Sequence, residues 1–194
     1  MSVEKNPRPR RSNLARSNLA RFNLIAIAAI AALPLVGSYL LYFLWTPTAF
    51  INYGELVGPT PLVELQTGTA PELKGRWVFL MVDSGRCDDY CQRKLYVMRQ
   101  VRLTQGKDME RIERVWLLDD GTAPTASTLE QYKGTRVLPM APALAAKLPA
   151  VSSVRDHIYL VDPLGNVMMR YPREADPNRM KKDLARLLRA SRIG

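Results

Sequence analysis

The hydrophobic pattern divides the chain into three regimes. From Leu24 to Leu44, 21 consecutive residues carry no charge (LIAIAAIAALPLVGSYLLYFL), enough to cross the hydrocarbon core of a bilayer as one helix. Pro34 and Gly37 would be costly inside a soluble helix but are tolerated in a membrane. Tyr39, Tyr42 and Trp45 gather near the far end, as aromatic belt residues do. Residues 45–75 read as a linker and entry segment, punctuated by Pro47, Gly54, Gly58, Pro59 and Pro61. A short first strand is expected at Leu62 to Leu65. The remainder, 76–194, is long enough for one compact domain with its own core.

Within that domain the periodicity changes repeatedly. Trp77 to Val82 is a short apolar block suited to a buried strand. Asp83, Ser84 and Gly85 break it, and a helical pattern free of Gly and Pro follows as far as Gln105. Arg114 to Leu118 reads as a second strand ending in the turn formers Asp119, Asp120 and Gly121. Thr125 to Tyr132 reads as a short helix. Residues 133–155 carry Pro139, Pro142 and Pro149 and are poorly legible, with one or two helical turns expected at Ala141 to Leu148. Ile158 to Val161 and Val167 to Arg170 form a hairpin pattern around Asp162-Pro163-Leu164-Gly165-Asn166. Asp176-Pro177 marks a helix start, a capping side chain followed by proline at the first helical position. Leu184, Leu187 and Leu188 give that last helix an apolar face, and Lys and Arg cover the rest. The order predicts an α/β fold: a thioredoxin-like mixed sheet flanked by helices and preceded by one N-terminal transmembrane helix.

Charge adds orientation. The formal net charge is +10, and half of it lies in the tail 1–23, where Lys5, Arg8, Arg10, Arg11, Arg16 and Arg21 face only Glu4. Such a tail stays in the cytoplasm and places the C-terminal domain outside it, in a bacterium in the periplasm. The apolar run is longer than that of a signal peptide, and no small-x-small cleavage site stands out after Leu44, so an uncleaved inner-membrane anchor is expected. No basic stripe interleaved with aromatics follows, which argues against a nucleic-acid partner.

The chemistry concentrates at one strand-to-helix junction. Cys87 and Cys91 are the only cysteines. If the helix has begun by Cys87, both side chains share a face with Cβ atoms about 5–6 Å apart. Two thiolates so placed suit Cu(I), zinc or an iron–sulfur cluster. The same pair suits dithiol redox chemistry, since a helix N-terminus lowers a thiol pKa. Arg86 strengthens that effect and Asp88 and Asp89 oppose it. A structural disulfide is the third reading; it closes so short a loop that it would stabilise the fold weakly. In the oxidising space outside the cytoplasm an unprotected pair tends towards the disulfide. His157, the only histidine, immediately precedes the penultimate expected strand. In a thioredoxin-like sheet that position lies beside the start of the cysteine helix, so Cys87, Cys91 and His157 form a candidate copper or zinc site. Asp156 is a candidate for orienting the histidine.

These residues resemble the Sco/SenC family of membrane-anchored thioredoxin-fold proteins. The resemblance rests on the anchor Leu24–Leu44, Cys87-Asp88-Asp89-Tyr90-Cys91 after a strand, Asp156-His157 before a later one, WLLDD and DPLGNV, and covers roughly residues 50–192. Asp88 and Gln92 stand where family members usually have proline after each cysteine, and the segment from motif to histidine is shorter. The resemblance implies copper delivery, as Cu(I), or thiol reduction during assembly of the binuclear copper centre of cytochrome c oxidase. Its implied partners are a respiratory oxidase subunit or another copper chaperone. An enzyme reading stays open beside it, a thiol–disulfide oxidoreductase with Cys87 attacking and Cys91 resolving. So does a non-catalytic assembly scaffold.

Overall fold

The structure is a computed structural model. It describes residues 12–44, 51–62, 65, 70–191 and 193, with side chains from residue 21 onwards. The chain divides into two compact units, Met1–Phe50 and Ile51–Gly194. In the first, helix α1 spans Ser12–Leu44 and runs through Pro34 unbroken. Its segment Arg21–Leu44 has a mean hydropathy of 2.3 and is long and apolar enough to cross a membrane. The anchor expected at Leu24–Leu44 lies inside it; Trp45, expected in the aromatic belt, lies outside the described residues.

The second unit is a six-stranded mixed sheet in the order β1-β6-β5-β2-β3-β4. Its strands are β1 (Glu55–Pro61), β2 (Trp77–Asp83), β3 (Ile112–Leu118), β4 (Thr135–Pro139), β5 (Ile158–Val161) and β6 (Asn166–Arg170). β2, β3 and β4 are parallel, whereas β5 lies antiparallel to β2 and the hairpin β5–β6 continues to β1. The helices are α2 (Asp89–Leu103), α3 (Ala126–Gln131), α4 (Pro142–Ala145) and α5 (Pro177–Ala190).

Central strand β2 is buried along its whole length, and its two-residue period feeds two separate cores. Trp77, Phe79 and Met81 face the side covered by α2 and α5, meeting Leu95, Met98 and Val101 of α2 and Met180, Leu184 and Leu188 of α5. Val78, Leu80 and Val82 face the other side with Leu62, Leu73, Leu144 and Leu148. A strand buried on both faces is why this segment reads as a continuous apolar run.

Three expectations change. Strand β1 ends at Pro61 and lies within the stretch read as linker, so Leu62 begins the covering layer instead of a strand; residues 63 and 64 lie outside the described residues. Strand β4 falls in the proline-punctuated region, where its only sequence signal was TRVLP. Helix α2 starts at Asp89, two residues beyond Cys87, because Asp88 caps it: its carboxylate accepts the Cys91 amide at 2.9 Å. The two cysteines therefore do not share a helical face.

Candidate functional site

The carboxyl end of β2 delivers the chain into a turn, Ser84–Cys87, closed by the Cys87 amide donating to the Ser84 carbonyl at 3.1 Å. Cys87 leaves it in the left-handed region, φ +43°, the only described non-glycine residue with positive φ. A left-handed conformation is costly for a side-chain-bearing residue and persists only where its surroundings hold it. Here they hold it from several directions. Asp120 accepts from the Ser84 hydroxyl and from the amides of Gly85 (3.3 Å) and Thr122 (3.0 Å). Gly85 is pressed against that loop so closely that a Cβ there would lie 1.8 Å from the Thr122 carbonyl oxygen. The Ser84 hydroxyl bond, above all, holds the Asp120 carboxyl well below the usual carboxylate range.

Cys87 and Cys91 are joined as a disulfide, Cα–Cα 5.0 Å. Cys91, on the first turn of α2, is completely buried, whereas Cys87 keeps 8 % exposure. Behind them lies a charged pair that the sequence reading missed. Lys94, one turn beyond Cys91, places its ammonium 2.7 Å from Asp83, and both side chains are almost fully buried. The ammonium also donates to the carbonyls of Val82 (2.9 Å) and Arg155 (2.6 Å). Burial pulls the Lys94 pKa down, and Asp83 opposes that pull. The signal was present: Lys94 is a charge beside the apolar stripe Cys91, Leu95, Met98 and Val101, and Asp83 is a charge ending an apolar strand.

His157 sits at the entry to β5, buried at 7 % exposure. Its Nδ1 lies 2.8 Å from the Tyr171 carbonyl. A carbonyl can only accept, so Nδ1 carries a proton and donates it to Tyr171, which leaves Nε2 as the ring atom free for another partner. That Nε2 is buried without a hydrogen-bond partner among the described residues. Two links join the histidine segment to the cysteine loop. Tyr90, inside the cysteine motif, shares its hydroxyl between the carbonyls of Asp156 (2.9 Å) and Arg173 (3.0 Å), and burial raises its pKa to about 12. The Arg155 carbonyl accepts from Lys94 of the cysteine helix at 2.6 Å, while the Arg155 guanidinium grips Asp119 after β3 through two contacts, 2.6 and 2.8 Å. The carboxylate of Asp156 is taken by Arg173 instead of by the histidine ring.

Cys87 and Cys91 are thus brought together, and His157 belongs to the segment bonded to them. Among the described residues no group of three His, Cys, Asp or Glu side chains is gathered closely enough to hold a metal ion. In this oxidised arrangement the sulfur valences are spent on each other, and copper or zinc ligation requires the bond to open first.

A mixed sheet with a cysteine pair where a central strand meets its helix defines a thioredoxin-like domain. Residues 77–191 match the family model described as "Transmembrane-like, thioredoxin-like, C-terminal domain", and the chain belongs to that family. No curated protein matches the sequence. Among solved structures, yeast Sco1 aligns at 17% identity and a TM-score of 0.52, over 70% of this chain and 96% of that one. The structure described as yeast Sco1 with copper bound aligns at 13% identity and 0.52, over 74% and 96%. Copper-bound ScoI from Bradyrhizobium japonicum shares 21% identity over 69% and 98%, with a TM-score of 0.46. The yeast likenesses show a common fold, the one the Sco/SenC resemblance implied.

Proposed function

We propose that this chain is a membrane-anchored copper-handling assembly factor that takes up Cu(I) as cargo on reduced Cys87, reduced Cys91 and His157. Its delivery target is the copper centre of cytochrome c oxidase, and its partners are a respiratory oxidase subunit or another copper chaperone. The observation that carries the reading is the His157 ring, with Nδ1 held by the Tyr171 carbonyl and the buried Nε2 without a hydrogen-bond partner among the described residues. A carbonyl on the distal nitrogen is the usual support of a metal-binding imidazole. The copper-bound yeast relative of the same fold supports the choice of cargo.

Loading begins with two electrons and two protons converting the disulfide to two thiols, supplied by an external dithiol that is itself oxidised. Cu(I) then displaces the thiol protons, so uptake weakens as pH falls below the thiol pKa values. The positive tail and apolar helix support a single-pass inner-membrane protein with this domain in the periplasm.

A second reading rests on the unequal exposure of the two sulfurs. A thiol–disulfide oxidoreductase would use the slightly exposed Cys87 as nucleophile and the fully buried Cys91 as resolving thiol. Anaerobic Cu(I) titration of the reduced full chain in detergent, against a competing chelator, separates the two. Cys87→Ser and Cys91→Ser are expected to abolish tight binding, and His157→Ala to weaken it less, because two thiolates still hold Cu(I) linearly. If wild type and the double cysteine variant compete equally poorly, the copper reading fails and the dithiol enzyme stands.

A further inference from the structure

Helix α5 carries more positive charge than the cores require. Arg179, Lys182, Arg186 and Arg189 follow at spacings of three, four and three residues, which sets them on one face of the helix, and all four are exposed. The one acidic residue of the helix, Asp183, offsets one of the four from beneath the surface, its Oδ1 lying 3.7 Å from Arg186. It is 1 % exposed and its Oδ2 accepts the backbone amides of Tyr53 and Gly54, each at 2.9 Å. Glu174, just upstream, is engaged by Arg93 at 3.1 Å.

The stripe adjoins the point where the chain enters the domain. Arg186 donates to the Ile51 carbonyl at 3.0 Å, and the Arg179 guanidinium lies 4.1 Å from the centre of the Tyr53 ring. Ile51 itself leaves 80 % of its surface exposed. The membrane-length helix ends at Leu44, and the seven steps of chain from there to Ile51 reach at most about 25 Å when fully extended. A cationic stripe and an exposed isoleucine are thus tied within that reach of a segment suited to the bilayer.

We propose that this face of α5 docks on the anionic headgroups of the membrane that holds the anchor. Guanidinium and ammonium groups pair with lipid phosphates, clustered cations near a surface add their attractions, and the short tether keeps the effective concentration high. The inference rests on α1 being a retained anchor. Docking would hold the domain in one orientation above the bilayer and so decide which of its faces a partner meets.

Lys181 and Lys182 supply an internal control. Both are exposed, but Lys182 lies in the stripe, whereas Lys181 is turned about 100° around the helix, beside Tyr96 and Gln100. The full chain is reconstituted into nanodiscs of phosphatidylcholine alone or mixed with phosphatidylglycerol, and lysine acetylation is followed by mass spectrometry. In the anionic discs Lys182 should label about fivefold more slowly than in neutral ones, with high salt restoring the rate. Lys181 should label equally in both, and Arg179→Gln/Arg189→Gln should shrink the protection of Lys182. Equal labelling of Lys182 in the two discs, or equal protection of both lysines, overturns the proposal. Protection of Lys182 in neutral discs by a soluble polyglutamate, with none from phosphatidylglycerol, assigns the face to an acidic protein and overturns it too. A chain that fails to enter discs at all overturns the anchor reading itself, an outcome distinct from an anchored chain with an unprotected stripe.

Discussion

The cysteine loop and the histidine strand are built on opposite principles. Cys87 stands in a left-handed backbone held by other people's atoms: the Asp120 carboxylate, the Thr122 carbonyl against Gly85, and its own bond to Cys91. His157 needs no such restraint, since the start of β5 positions its backbone and one carbonyl sets its tautomer. The first half is closed by a covalent bond that reduction would open. The second holds a buried Nε2 without a hydrogen-bond partner among the described residues. Under the copper reading proposed above, reduction of the sulfurs would gate uptake while the imidazole stays in place.

The sharpest way to break this contrast is to remove what both halves lean on. Lys94 belongs to the cysteine helix yet donates to Arg155, two residues before His157, while paired with Asp83. Lys94→Met or Asp83→Leu alone leaves an unpaired buried charge and should cost about 3–5 kcal/mol in denaturant unfolding. The double replacement should recover most of that loss, because two apolar groups need no partner. If the double variant is as unstable as either single one, the pair is not the common support.

A smaller effect isolates the cysteine half. Gly85→Ala puts a methyl group into the Thr122 carbonyl and forces the two loops apart, for an expected loss of about 1–3 kcal/mol. The thiols should become more reactive towards a small disulfide, while the environment of the His157 ring, read by NMR, stays as it was. A matching change at His157 would show the two halves to be one rigid piece.

The smallest effect is one of acid. The folded-state pKa of Asp120 is depressed, so its contribution is fully present above the ordinary carboxylate pKa of about 3.9 and is lost as pH falls through the folded value. The latch on Ser84 and Gly85 should therefore survive mild acidity and open only below the usual carboxylate range. Amide shifts of Gly85 and Thr122 report it, and Asp120→Asn should abolish the titration. A midpoint at an ordinary carboxylate value would mean the three hydrogen bonds do not persist in solution.

What the sequence made legible follows from where the physics is local. The β2 strand, the hairpin around Asp162–Asn166 and the capped start of α5 are each set by short-range patterns, and all three are present. β1 was invisible because it is an edge strand, mostly exposed and carrying Gly58, Pro59 and Pro61, and it exists through its pairing with β6. β4 likewise depends on β3, against which it is paired in parallel. At the site, residue types pointed to Cys87, Cys91 and His157, but spacing alone placed both cysteines on the helix. Asp88 decided otherwise, because its side chain caps the Cys91 amide and starts the helix at Asp89, two residues after Cys87. Asp83 and Lys94 each stand out locally as a charge in an apolar setting, but their pairing is a tertiary contact that only the fold reveals.

Edge strand β1 also has a mechanical role. Any load from the membrane reaches the domain at Ile51, and β1 hangs from β6 as an antiparallel pair whose first rung joins Glu55 to Arg170. Pulled from that end, such a strand unzips one rung at a time instead of shearing all at once. The fastenings are placed at the end where the tear would start: Arg170 clamps Glu55 through two contacts, 2.8 and 2.9 Å, and buried Asp183 holds the amides just ahead of them. One carboxylate on the last helix thereby acts as the cleat to which the tether is made fast.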